Sequence, residues 1–287
     1  MLVTLKETLK IAEEKNAAVG GFNITNLESL RSVLSAAEKL QLPVVLMFAQ
    51  IHAHMIPLSL IGPPLVRCAE EAGVPVAAHL DHGADPDYLK QALDLGFTSI
   101  MYDGSLLPYE ENLENTRKAV ELAAKYGASV EAELGTMGKR ESGDGTSGGE
   151  NDRTKIYTEP ALAVQFIEES GIDALACSFG TTHGIYLTKP KLDLEIVRKI
   201  RSLTNGFPIV MHGGSGVSEE DYRRCIEAGV RKINYFTYMD KAGGSAAKAY
   251  TESAEPGKPV FFSDVIRAAE TAMEEDVERA MKIFSKA

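Results

Sequence analysis

The stretch Val74-Pro-Val-Ala-Ala-His-Leu-Asp-His-Gly83 is a short apolar run that closes on three ionisable side chains, His79, Asp81 and His82, and a glycine. Runs of this length, bounded by turn residues, read as strands buried on both faces. Two further runs end in the same way. Ala174-Leu-Ala-Cys-Ser-Phe179 is followed by His183 and Gly184, and Pro208-Ile-Val-Met211 by His212 and Gly213. Imidazoles leaving the ends of separate strands can meet only if the strands are neighbours in one sheet or barrel, with their carboxyl ends on the same side.

Working outward, the pattern repeats along the chain. Strands are predicted at Val19–Phe22, Pro43–Phe48, Pro75–Leu80, Ser99–Tyr102, Ser129–Leu134, Ala174–Phe179, Pro208–Met211 and Lys232–Asn234. Helical periodicity separates them over Leu27–Leu40, Pro64–Ala72, Pro86–Leu95, Tyr109–Tyr126, Glu159–Ser170, Lys191–Ser202 and Glu219–Ala228. Asp85 before Pro86 and Ser218 before Asp221 mark helix starts, and Gly73, Gly96, Gly127, Gly171 and Gly229 mark ends. Eight strands alternating with helices predict an α/β chain folded as a (β/α)₈ TIM barrel, one domain over residues 1–287, with an open doubly wound sheet as the alternative. An extra C-terminal helix is expected over Phe261–Phe284, capping the barrel or joining a subunit interface. Gly135–Glu150 is too polar and glycine-rich to pack, and reads as a lid or a disordered segment.

Composition limits the partners. The 287 residues are 44% hydrophobic and carry a formal charge of −11, which disfavours nucleic acid and anionic membrane surfaces in the absence of a basic patch. The start, Met1-Leu-Val-Thr-Leu-Lys-Glu7, lacks the regions of a secretory leader, and no apolar run reaches the roughly 18 residues of a membrane span. Cys68, Cys177 and Cys225 are odd in number and widely spaced, as expected of reduced thiols. A cytoplasmic protein is expected.

A barrel gathers chemistry at the carboxyl ends of its strands. Asn23, Asp81, His82, Asp103, Glu133, His183, His212 and Asn234 all fall there. Three neutral imidazoles leave one coordination position open on a tetrahedral zinc, the arrangement of a catalytic ion. Asp103 and Glu133 are either partners that orient the imidazoles or alternative ligands. Strand alternation points Asp81 away from its neighbour His82, so Asp81 is assigned to proton transfer. His79 shares the Asp81 face and reads as a core or supporting residue. His212-Gly-Gly-Ser-Gly-Val217, after the seventh strand, and Asn234-Tyr-Phe-Thr237, at the eighth, suit a phosphate held by backbone N–H groups, with Gly184 adding another. His52 and His54 form a His-x-His without a matching ligand set, and read as structural or gating.

The chain resembles the class II, zinc-dependent ketose-bisphosphate aldolases, the fructose- and tagatose-bisphosphate aldolase family. The resemblance rests on Gly21-Phe-Asn-Ile-Thr-Asn26, His79-Leu-Asp-His-Gly83, Ser99-Ile-Met-Tyr-Asp-Gly-Ser105, Glu131-Ala-Glu-Leu-Gly135, Gly180-Thr-Thr-His-Gly-Ile-Tyr186 and His212-Gly-Gly-Ser-Gly216. It implies a lyase that splits a ketose (bis)phosphate into dihydroxyacetone phosphate and an aldehyde through a zinc-stabilised enediolate. By the same likeness His82, His183 and His212 are zinc ligands, Asp103 and Glu133 a second or alternative metal site, and Asp81 the proton-transfer residue. Glu141 would be the mobile acid. Asn23, Gly184, Gly213, Ser215, Asn234 and Thr237 would bind substrate. A monovalent cation near the phosphate and a homo-oligomer, dimer or tetramer, are also implied.

The chain departs from the family where Tyr235 and Phe236 replace small or acidic residues. It departs again at Leu187, where the family has lysine and Lys189 would compensate, and at Met47-Phe-Ala-Gln-Ile-His52 and Gly138-Lys139. Alternatives of other kinds are a ketose monophosphate aldolase, a zinc hydrolase, and a sugar-phosphate-binding protein without catalysis. A Schiff-base aldolase needs a lysine inside the barrel near a strand's end, and Lys232 is read as opening its strand.

Overall fold

The computed structural model describes residues 1–137, 155–186, 188–255 and 257–286. Its strands are β1 (Leu2–Val3), β2 (Val19–Asn23), β3 (Val44–Ala49), β4 (Val76–Gly83), β5 (Ser99–Tyr102), β6 (Ser129–Leu134), β7 (Thr136–Met137), β8 (Lys155–Ile156), β9 (Ala174–Cys177), β10 (Ile209–Met211) and β11 (Val230–Tyr235). The helices are α1 (Leu5–Glu14), α2 (Leu27–Leu40), α3 (Leu58–Glu71), α4 (Pro86–Asp94), α5 (Tyr109–Ala124), α6 (Pro160–Ser170), α7 (Leu194–Leu203), α8 (Glu219–Ala228), α9 (Thr237–Glu252) and α10 (Phe262–Ser285), with a 3₁₀ turn at Gln50–His54.

Eight strands pair in parallel as β2-β3-β4-β5-β6-β9-β10-β11, and β11 returns to β2 through Lys232↔Val19 and Asn234↔Gly21. The predicted barrel is therefore closed, and the open-sheet alternative falls. Its strands are buried along their length because one face packs on helices and the other fills the interior. The lower interior is apolar, with Val19, Val45, Ala77, Ala174 and Val210 packed against Leu5 and Leu9 of α1. β1 pairs with the start of β4, Leu2 opposite Val76. The short strands β7 and β8 form an antiparallel pair at the ends of the glycine-rich segment, of which residues 138–154 lie outside the described residues.

Three elements differ from expectation. α1 is a short amphipathic helix started by a Thr4–Glu7 capping box, and it plugs the amino-terminal end of the barrel. α9 carries no apolar stripe, burying only Met239 and Gly243, so periodicity gives no sign of it. α3 begins at Leu58 and runs through Pro63 and Pro64 instead of starting at them. Leu58, Ile61 and Leu65 are buried on one side, and this packing carries the helix across the prolines.

Helix ends follow the glycine signal at α6 and α8, where Gly171 and Gly229 take left-handed C-caps. Gly73 does not have a positive φ. The expected C-terminal helix is present as α10. Its second half buries Val277, Met281 and Phe284, and Phe284 C=O accepts the Ala18 N–H at 2.9 Å. Val265 and Ile266, in its first half, are only half-buried. No helix among the described residues is long and apolar enough to cross a membrane.

Candidate active site

The carboxyl ends of the barrel strands surround a cavity of about 430 Å³. Asn23 arrives from β2, Asp81 and His82 from β4, Asp103 from the turn after β5, His183 and Gly184 from the segment after β9, and Asn234 from β11. Gly213 and Ser215 follow β10, and Thr237 opens α9; all line the same cavity. Glu133, at the end of β6, is buried beside it. Glu141 lies outside the described residues.

Asp81 and His82 line one pocket although they are adjacent in a strand, and only His82 of the two joins a candidate metal-ligand group among the described residues. His82 has φ 48°, in the left-handed region, and the register against β5 slips between Leu80 and Gly83. Histidine tolerates this conformation better than most residues, and the slip ends the pleat where the two side chains must diverge less.

The imidazoles of His82, His183 and His212 pack face to edge or tilted, with centroids 5.0, 4.6 and 5.8 Å apart for the pairs 82–183, 82–212 and 183–212. One ligand atom from each lies within 4.8 Å of the other two. A second set, His82, Asp103 and Glu133, meets the same condition. His212 Nδ1 and Glu133 Oε2 are buried, 3.3 Å apart, and neither makes a hydrogen bond. Buried polar atoms are ordinarily satisfied, so donors left open beside two more imidazoles fit a divalent cation.

Supporting contacts orient these donors. His82 Nδ1 donates to Asp103 Oδ2 at 2.7 Å, and His212 Nε2 donates to Glu131 Oε1 at 2.8 Å. Both oxygens of Asp81 are engaged: Oδ2 accepts from Asn23 Nδ2 at 3.0 Å and Oδ1 from Asn234 Nδ2 at 3.1 Å. The amide oxygens of Asn23 and Asn234 are buried and find no partner among the described residues. They are open acceptors at the cavity.

Electrostatics separate the groups. Burial alone would raise the Asp81 carboxyl, but the charges of His82, His212 and Lys232 hold it well below the usual carboxylate range. Burial, reinforced by His82 and His212, pushes His183 down to about 3, whereas His212, against its burial, is raised to about 10 by contacts with Glu131 and Glu133, so a cation held there would displace the His212 proton. Burial raises the Glu133 carboxyl.

The glycine-rich loop after β10 is built by close backbone approach. Gly213 has φ +61°, and a Cβ there would lie 2.2 Å from Thr182 C=O, so only glycine fits. Tyr186 Oη donates to Gly213 C=O at 2.8 Å and accepts from Thr182 N–H at 2.9 Å, tying the segment after β9 to the one after β10. Ser215 Oγ accepts the Phe236 N–H at 3.0 Å.

Other expectations resolve less simply. Lys189 is paired with Asp221 at 3.2 Å and does not line the cavity. His52 packs on Phe236, ring centroids 4.8 Å apart, at the cavity wall. His54 is exposed and contacts Ile51 C=O at 2.7 Å, and neither histidine joins a candidate metal group among the described residues.

Lys232 does not open its strand. β11 begins at Val230, and the lysine is fully buried inside the barrel, 2.7 Å from Glu131 Oε2. The roles of Glu131, Lys232 and Tyr186 escaped the sequence reading. A signal for the first two existed in the i, i+2 spacing of Glu131/Glu133 and Lys232/Asn234, which puts each pair on one strand face.

The family model for class II fructose-bisphosphate aldolase matches residues 3–287. A fructose-bisphosphate aldolase of Staphylococcus aureus (strain N315) is 37% identical over 287 residues, covering 99% of this chain and 97% of that one. A probable fructose-bisphosphate aldolase of Bacillus subtilis (strain 168) is 39% identical over 255 residues, 88% and 86% of the two chains. Among solved structures, the YdjI aldolase from Escherichia coli K12 superposes with a TM-score of 0.85 at 30% identity, covering 99% of this chain and 97% of that chain. Matched from its first strand to its last helix, and carrying the imidazole trio on a closed barrel, the chain belongs to the class II fructose-bisphosphate aldolase family.

Proposed function

We propose that this protein, as a single barrel domain over residues 1–287, reversibly cleaves a ketose bisphosphate to dihydroxyacetone phosphate and an aldehyde, with His82, His183 and His212 holding a zinc ion. The observation that carries the reading is Asp81, fixed by Asn23 and Asn234 at 3.0 and 3.1 Å beside three converging imidazoles. Asp103 and Glu133 form a second or alternative metal position with His82.

Asp81 takes the proton of the C4 hydroxyl. C4 then becomes the aldehyde carbon, and the electrons of the C3–C4 bond pass into the C2–C3 unit of the departing half. When bound, the cation supplies positive charge where negative charge develops on the substrate oxygens. The open amide oxygens of Asn23 and Asn234 accept substrate hydroxyls, while their amide nitrogens keep Asp81 aimed. Glu141, from the glycine-rich loop, returns a proton to C3.

The phosphate is held by Gly184, by Gly213 and Ser215 after β10, and by Thr237 at the start of α9, where N–H groups and the helix dipole favour an anion. A monovalent cation would supply further positive charge near that phosphate. A cytoplasmic setting agrees with the unbridged Cys68, Cys177 and Cys225, and a homo-oligomer, dimer or tetramer, with the exposed Val260 and Phe261 ahead of α10 and Phe262 at its start.

The test is an assay of the purified protein with a panel of ketose mono- and bisphosphates, coupled to reduction of dihydroxyacetone phosphate. Release from at least one bisphosphate, abolished by chelation, is expected. Turnover retained by the demetallated protein, or by Asp81→Ala, would sink the mechanism.

A further inference from the structure

Beneath the catalytic layer lies a second polar layer. β-Strand alternation stacks His79 under Asp81, Glu131 under Glu133 and Lys232 under Asn234, and all three lower side chains are completely buried. Glu131 joins them. Its Oε1 accepts from His212 Nε2 at 2.8 Å, its Oε2 accepts from Lys232 Nζ at 2.7 Å, and His79 Nε2 lies 3.7 Å from Oε2. His79 is itself held by Ser99 Oγ, 2.8 Å from Nδ1.

We propose that Lys232 is a positioning residue for the metal centre: its ammonium pins one oxygen of Glu131, so that the other holds His212 with Nδ1 turned toward His82 and His183. This deepens the metal-site reading above and rests on it. A carboxylate can only accept, so its contact fixes the proton of His212 on Nε2 and leaves the Nδ1 lone pair for the ion. That Nδ1 is buried and makes no hydrogen bond. Carboxylate partners of metal-binding imidazoles are a general device for setting ring orientation and tautomer; here the carboxylate is itself anchored. Without the ammonium, Oε2 loses its strongest partner. The carboxylate plane is then free to turn about its terminal torsion, and the ring of His212 turns with it. A buried carboxylate also needs a nearby counter-charge, and Lys232 is the cation in contact with it.

The experiment is Co²⁺ titration of the metal-free full-length protein, read by chelator competition and by the d–d absorption of bound Co²⁺, with thermal unfolding in parallel. Lys232→Met is expected to weaken Co²⁺ binding about 10- to 100-fold and to change the absorption band. Should Lys232→Met not fold, Glu131→Gln/Lys232→Met removes both buried charges together. It is expected to unfold near the wild-type temperature and still bind Co²⁺ more weakly. Wild-type affinity and spectrum in either folded variant would overturn the proposal, since a lysine that merely neutralises Glu131 would change stability alone. Equal Co²⁺ affinity in wild type and His212→Ala would overturn the imidazole site itself, a separate failure.

Discussion

His82 Nδ1 donates to Asp103 Oδ2 at 2.7 Å, which leaves the other ring nitrogen of His82 to face His183 and His212. Asp103 is in turn steadied by Ser105, whose N–H and Oγ both donate to Oδ1, at 3.1 and 2.7 Å. Removing the acceptor frees the tautomer and the rotation of the ring. Asp103→Ala is therefore expected to weaken divalent-metal affinity by about 10- to 100-fold, measured by competition with a chromophoric chelator. Unchanged affinity would show that the His82 ring is held by something else.

Asp81 makes the second prediction. Its two oxygens are committed to Asn23 and Asn234, so replacing it by asparagine preserves shape while removing the base. Asp81→Asn is expected to lower kcat by roughly 10² to 10⁴ with metal content intact. Asn234→Ala leaves the base but loosens it and removes an acceptor, so a smaller loss of kcat with a raised KM is expected from steady-state assays. A fall in KM alone for either variant would contradict the assignment.

The barrel and the imidazole trio were legible in the sequence because each rests on a local pattern: apolar runs of strand length, and polar residues where those runs stop. Long-range packing was not legible. α9 is held by α10 and α2 lies against α10, and α9 shows only Met239 and Gly243 as buried positions. Lys232 was misplaced for a related reason. A charged residue at the edge of an apolar run reads as a boundary, and only the partner Glu131, 101 positions away in the chain, makes it a core residue. Asp81 and His82 share one pocket through the left-handed backbone of His82, a local conformation that strand alternation alone does not give.

At the opposite end of the barrel, Glu13 binds Arg201 and Arg231. Its hydrogen bond with Arg201 is the main cause, opposed by burial and aided by Arg231, of a carboxyl lowered to about 2. A group depressed in the folded state stabilises fully above its unfolded value near 4.5 and loses that contribution as pH falls toward about 2. Glu13→Gln is expected to melt below wild type at pH 7, the gap narrowing under pH 4.5 and closing near pH 2. The side chain is 44% exposed, so the gap is small and shrinks with salt. A gap independent of pH would assign the effect to packing.

Phe236 gives the last prediction. Its ring packs on His52 to form the cavity wall between the exits of β3 and β11. The next residue before it, Tyr235, points the other way and donates to Asp276 of α10 at 2.8 Å, so the backbone at this point is tied to the outer helices and the aromatic wall is fixed. Ile51 continues the wall while remaining 68% exposed. The wall closes the cavity beside Asn23, Ser215 and Thr237, residues proposed above to bind substrate. A wall that touches the substrate without acting on the reacting carbons supplies uniform binding, which truncation removes. Phe236→Ala is expected to raise KM about tenfold, the worth of one apolar contact, with kcat nearly unchanged and dihydroxyacetone phosphate release otherwise intact. A large fall in kcat at constant KM would instead mean that the ring acts on the reacting carbons.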